Sequence, residues 1–204
     1  MPTLRAAMTT ASTSGRGQGK SNPRRDGERA LIQQLEERFR RITHLLYDTS
    51  VPARVLDEEV VPFLAEDVTF TDPWQRGGGR ETYRRGAAGF HCMFSFDFDI
   101  FQLNVQLEEG HEKGRAIVDG VMNLKQFSWL YTYPLRTILV FDFTLVGTPA
   151  GDVRPLIHAH EEMWSFGDMI AAVPGVGWVY TKLFRKGFSY GFLAASALCR
   201  RIRQ

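Results

Sequence analysis

A chain of 204 residues, 44% hydrophobic and 24% charged, has an ordinary globular composition and is long enough to bury about 70% of its unfolded surface without covalent staples. The net charge of +2 is unevenly spread: residues 1–25 hold Arg5, Arg16, Lys20, Arg24 and Arg25 and no acid, a net +5, which leaves −3 for the rest and no basic face for nucleic acid. Cys92 and Cys199, far apart in sequence, make neither a disulfide framework nor a zinc knuckle and point to a reducing, intracellular compartment.

Residues 1–27 are dominated by Ser, Thr, Gly and Arg, a composition that cannot bury enough apolar surface to offset the entropy of ordering. A disordered tail is one expectation. An Arg- and Ser-rich, acid-poor transit peptide is the other, and it would move the expected location from cytoplasm to plastid or mitochondrion. Over 28–48, Leu31, Leu35, Phe39, Ile42, Leu45 and Leu46 recur at helical spacing. Pro52 opens a second helix, Ala53 to Leu64, which Pro62 ends or bends. Val68, Phe70 and Asp72 then alternate with Thr69 and Thr71 in a short strand closed by Pro73. Gly77 to Gly79 predict a loose turn, and Arg80 to Phe90 a third helix.

From Phe94 onward the period is two. Strands are predicted near 96–107, 115–126, 135–146 and 154–165, with breaks at Glu108-Glu109-Gly110, Tyr133-Pro134 and Gly147 to Gly151. Short breaks between consecutive strands predict antiparallel hairpins. Asp119, Asn123 and Lys125 form the wet face of one strand. On the next, Leu139, Phe141, Phe143 and Leu145 on one face and Ile138, Val140 and Val146 on the other predict that both sides are covered, one by helices and the other by a cavity or partner. Arg136 and Asp142 share a face there as a candidate ion pair. Residues 166–204 form a basic apolar extension, helical after Pro174, whose longest late uncharged run, Gly187 to Cys199, is 13 residues against the about 20 that a membrane span needs. Segment 174–204 is expected to pack on the domain, on a second subunit, or flat on an anionic membrane.

The candidate site lies on Leu156 to Phe166. Strict alternation puts Leu156, His158, His160, Glu162 and Trp164 on one face, two imidazoles and a carboxylate beside an indole. An acid paired with an imidazole in an apolar setting is the combination from which general bases are made. The same His158, His160 and Glu162 spacing is also compatible with zinc or iron, with no further ligand identifiable. A one-residue register error would turn the imidazoles to the other face. His91 and Cys92 lack a matching acid for a nucleophilic role. There is no phosphate loop and no run of Rossmann glycines, so no cofactor is implied.

The order helix, helix, short strand ending Phe70-Thr71-Asp72-Pro73, Gly-rich turn, Tyr83 helix and four long strands closing on His158-Ala159-His160-Glu161-Glu162-Met163-Trp164 resembles the nuclear transport factor 2-like superfamily, in particular its SnoaL-like, polyketide-cyclase-related branch. The resemblance covers about residues 28–165. It implies an α+β fold: a strongly curved antiparallel sheet shaped as a cone, with N-terminal helices packed on it. It also implies a small-molecule cavity with Asp72 at the mouth and the last strand on the wall. Asp72, His158 and His160 are then the catalytic candidates, with Phe70, Trp74, Tyr83, Phe141, Glu162 and Trp164 lining the pocket. Such folds host isomerases, dehydratases, cyclases and pure binding modules, often as homodimers. Two functions follow as expectations: a module that binds a small apolar molecule or a protein or membrane partner, and a cofactor-free lyase or isomerase. Asp72 also has a purely structural reading, as the cap of its own turn.

Overall fold

The first helix, α1 (Pro23–Leu46), carries one apolar stripe, and the chain folds by laying that stripe on a sheet. Leu35, Phe39, Ile42, Leu45 and Leu46 are all buried, and Phe39 sits 5.5 Å from Phe141 and 5.0 Å from Phe143, ring centroid to ring centroid. The computed structural model describes residues 23–127, 131–147, 153–173 and 175–191. The tail 1–27 therefore falls mostly outside the described residues, as does the extension beyond 191.

After α1 come α2 (Ala53–Glu59), β1 (Leu64–Thr71), β2 (Arg76–Gly78) and α3 (Arg80–Met93). Four long strands follow, β3 (Phe96–Leu107), β4 (Lys113–Phe127), β5 (Tyr131–Gly147) and β6 (Val153–Trp164), and then α4 (Phe166–Ala172) and α5 (Val176–Val179). The six strands form one sheet in the order β2-β1-β6-β5-β4-β3. Neighbours are antiparallel except β1 and β6, which run parallel. The expectation of a purely antiparallel sheet is corrected here. The opening strand returns beside the last one, a pairing made across some ninety residues that leaves no local turn signal.

Other boundaries shift for local reasons. Pro62 lies in a single 3-10 turn, Val61–Phe63, so the second helix stops at Glu59 and the strand starts at Leu64. The Gly-rich turn is a short strand pairing Gly78 with Thr69 and Arg76 with Thr71. Pro134 lies inside β5 opposite Asn123, where β6, whose pairing stops at Thr137, supplies no neighbour, so the missing N–H costs no ladder bond on that side.

The sheet curls because β4 has glycine where β3 folds over it. A Cβ at Gly120 would lie 2.3 Å from Phe98 Cε1 and 2.4 Å from the Asp99 carbonyl oxygen, and one at Gly114 would lie 2.6 Å from the Gln106 carbonyl oxygen. Bulges between Ile100 and Gln102 on β3, and opposite Asp142–Phe143 on β6, bend both strands further. The concave side holds the core and the N-terminal helices. The convex side carries ion pairs between strands: Arg115 with Asp142 at 2.6 Å, Arg136 with Asp119, and Lys125 with Asp97. Arg136 and Asp142 each find a partner on β4, not each other.

Candidate functional site

The bulge on β6 decides which side chains reach the concave side. Phe141 pairs with His160 and Asp142 with Ala159, but Phe143 pairs with Ile157, so His158 is the extra residue. Beyond the bulge His160 and Glu162 are buried and Trp164 is half-buried on the concave side; before it, Ile157 takes the inward place. His158 is turned to the convex side. Its Nε2 lies 2.9 Å from Thr144 Oγ1 and its Nδ1 3.7 Å from Asp67 Oδ1. The expectation that both imidazoles share a face is corrected, and with it the His158–His160–Glu162 metal arrangement, whose members now lie on opposite faces of the sheet. A shallow convex groove of ≈ 640 Å³ runs past His158, walled by the Arg115–Asp142 pair, and holds none of the buried titratable groups.

The concave side holds a cavity of ≈ 530 Å³ between α3, the end of α1 and strands β1 and β6. Val68, Phe70, Phe90 and Trp164 give it an apolar lining, and Tyr47, Tyr83, His160 and Glu162 are its buried polar groups. Asp72, Arg76 and Arg85 also line it. Asp72 is engaged in its own turn, as its structural reading expects: Oδ1 accepts from the backbone N–H of Trp74 at 2.7 Å and Gln75 at 2.8 Å, and Oδ2 from Gln75 Nε2 at 3.1 Å. Of the expected lining, Phe70, Tyr83, Glu162 and Trp164 are present. Trp74 points to solvent, 66% exposed, and Phe141 lies fully buried beneath His160, stacked at 4.3 Å and 18°, rather than on the wall.

Five of these side chains form one chain of hydrogen bonds. Tyr47 donates its hydroxyl hydrogen to Glu162 Oε1, and Trp164 Nε1–H donates to Oε2 at 2.9 Å. Tyr47 Oη also lies 3.2 Å from His160 Nε2, and Tyr83 Oη lies 2.7 Å from His160 Nδ1. Since the Tyr47 hydrogen goes to the carboxylate, its oxygen accepts from Nε2–H, and Nδ1 accepts from Tyr83. With Glu162 ionised, His160 is thus the neutral Nε2–H tautomer.

Burial sets the proton affinities. Glu162 is raised from 4.5 to about 7, chiefly because its charge is buried; the bonds from Tyr47 and Trp164 oppose the rise, and the nearby Asp72 charge adds to it. His160 is lowered from 6.5 to about 3 by burial, so it is neutral in any ordinary buffer. Tyr47 and Tyr83 are raised by burial first and then by the Glu162 charge, so both keep their hydrogens. The titrating group in the cavity is therefore the carboxyl, and His160 serves as a neutral link. Tyr47 was not among the sequence candidates. Its signal was Phe39, Thr43 and Tyr47 at i, i+4 and i+8, all three buried, which carries the inward face of α1 one residue past its end at Leu46 and points the hydroxyl inward.

Neither a family model nor a curated protein matches this sequence. Solved structures do. A protein of unknown function from Mycobacterium tuberculosis superposes with a TM-score of 0.54 at 14% identity, over 79% of this chain and 90% of its own. A candidate dehydratase of the nuclear transport factor 2-like family from Streptomyces avermitilis gives 0.53 at 11%, over 68% and 99%. A nuclear transport factor 2-like protein with a cystatin-like fold from Novosphingobium aromaticivorans gives 0.50 at 14%, over 73% and 94%. With helices at the N-terminus, a six-stranded mixed sheet curled around them and a helix after the last strand, this chain has the nuclear transport factor 2-like α+β fold.

Proposed function

We propose that the protein binds a small, mainly apolar molecule in the concave cavity and moves a proton on it, as a cofactor-free lyase or isomerase of the SnoaL-like kind. The observation that carries this reading is Glu162, a buried carboxyl on an apolar wall with a proton affinity of about 7. A group half ionised near neutral pH both takes and returns a proton, which is what a general acid–base needs. Asp72 is occupied by its turn and His160 is too weak a base, so the role falls to Glu162 instead of the Asp72–His158 or Asp72–His160 pairs.

The chemistry that fits is removal of a hydrogen beside a carbonyl. The C–H electron pair passes into an enolate while the proton goes to a Glu162 oxygen. Protonated Glu162 then returns it to another carbon, giving an isomer, or to a departing hydroxyl, which leaves as water. Tyr83, on the cavity wall, donates its hydrogen to His160 Nδ1 while Glu162 is ionised; protonation of Glu162 reverses the chain of hydrogen bonds and frees that hydrogen for the enolate oxygen. A protein of this fold described as a candidate dehydratase is in keeping with such a reaction.

The test begins with native mass spectrometry of the purified protein for a co-purified small molecule. Enolisable ketones and β-hydroxy carbonyl compounds are then incubated in deuterated buffer. Deuterium uptake catalysed by the wild type and reduced at least about a hundredfold by Glu162→Gln supports the reading. Uptake that survives the substitution overturns it. A ligand that binds without exchange or turnover leaves the binding module alone.

A further inference from the structure

Past the cavity the chain leaves the body of the protein as a helix with nothing packed on most of it among the described residues. Its base is fixed. Gly177 is pressed on α4, where an added Cβ would lie 2.0 Å from the Ala171 carbonyl oxygen, and a Cβ at Gly167 would lie 3.2 Å from Tyr180 Oη. From Lys182 to Gly191 every residue is exposed. Leu183 is 57%, Phe184 59%, Phe188 67% and Tyr190 72% exposed, an apolar load that a surface helix does not carry without a partner.

The arrangement of these side chains is specific. Tyr180–Phe184 forms a wide i→i+5 turn, and an ordinary helix follows it to residue 191. Tyr180, Phe184 and Phe188, successively four apart and so on one face, stack as a ladder, at 5.7 Å and 6.1 Å between ring centroids. Lys182 and Lys186 come two residues after Tyr180 and Phe184, about half a turn behind the ladder. The charge is one-sided too. Residues 169–204 contain Lys182, Arg185, Lys186, Arg200, Arg201 and Arg203 and no acid, so this segment carries +6 in a chain whose net charge is +2.

We propose that the helix of residues 176–191 lies flat on an anionic lipid surface, with the Tyr180–Phe184–Phe188 ladder in the boundary between headgroups and acyl chains and the cations at headgroup level. An in-plane helix sinks about 5–10 Å, so cations on the far side of a helix about 10 Å across lie among the lipid phosphates. No helix among the described residues is long and apolar enough to cross a membrane, and the uncharged run past Lys186, Gly187 to Cys199, is 13 residues against the about 20 that a span needs. A second copy is the poorer occupant, because each helix of residues 176–191 carries +3 from Lys182, Arg185 and Lys186 with no acid to pair them, so two copies repel.

The experiment uses the full chain and flotation with vesicles of phosphatidylcholine alone or of phosphatidylcholine with phosphatidylserine. The protein is expected to float with the anionic vesicles only and to be released by salt. Lys182→Glu with Lys186→Glu lowers partitioning at least about tenfold, since each cation near such a surface is worth about 1 kcal/mol. Phe184→Ser with Phe188→Ser abolishes it even in low salt. Both pairs are exposed, and circular dichroism checks that each variant is folded. Equal floating of the wild type and either variant overturns the proposal. So does self-association that Phe184→Ser with Phe188→Ser removes while vesicles fail to bind, which assigns the ladder to a second copy. Binding to poly-glutamate but not to vesicles overturns it in favour of an acidic protein partner.

Discussion

Replacing Glu162 with glutamine removes a charge whose burial the fold opposes, and the effect on stability has a definite pH dependence. The carboxyl rises from 4.5 in the unfolded chain to about 7 in the folded one. A group raised in this way contributes stability that is fully present below pH 4.5 and lost as pH rises through 7. The difference of about 2.5 units corresponds to roughly 3 kcal/mol between the two limits. Glutamine has no such dependence; its amide, like the protonated acid, sets a donor toward Tyr47 and an oxygen toward Trp164 Nε1–H, and its second amide hydrogen is a fixed cost of about 1 kcal/mol. Urea unfolding should therefore show Glu162→Gln less stable than wild type at about pH 4 and as stable or more so at about pH 8, the difference moving by about 3 kcal/mol. His160, lowered from 6.5 to about 3, costs both proteins stability as pH falls from 6.5, so it cancels in the comparison. A difference between the two that stays constant from about pH 4 to pH 8 would refute the claim that this carboxyl is buried and perturbed.

Three further outcomes follow from the same geometry. Nitrogen-15 spectra of His160 should show a neutral ring with hydrogen on Nε2 when Glu162 is ionised and on Nδ1 when it is protonated, because the hydrogen bonds through Tyr47 then reverse; an imidazolium at about pH 5 would contradict this. Tyr47→Phe removes a bond that favours the carboxylate and should move the Glu162 titration upward by about one unit, read from its side-chain carbon-13 shift. Gly120→Val puts carbon where Phe98 and the Asp99 carbonyl already lie, and should cost about 3 kcal/mol in urea unfolding or prevent folding, whereas a change under about 0.5 kcal/mol would contradict the account of how the sheet curls.

How much of this was legible in the sequence differs from residue to residue. The apolar stripe of α1 and the alternation of the four long strands are local periodicities, and they place the core and one face of the sheet correctly. The inward turn of His160, Glu162 and Trp164 was legible in the same way. His158 was not, because a bulge adds one residue without changing the alternation of residue types, and only the pairing with β5 reveals it. Asp72 precedes a proline in a turn, and its neighbours' backbone hydrogens claim its carboxylate whatever role the wider resemblance implies for it. The parallel pairing of β1 with β6 and the meeting of Tyr47 with Glu162 both join segments about a hundred residues apart, and no local pattern encodes either.

The proposed chemistry turns on the protonation of one side chain, and carbon-13 observation of the Glu162 carboxyl through a pH titration of the intact protein addresses it without any ligand. A midpoint near 7 that is lost in Glu162→Gln is the expected result. A midpoint near the ordinary 4.5 would mean that the carboxyl is solvated and that the cavity has no acid–base group tuned to neutral pH.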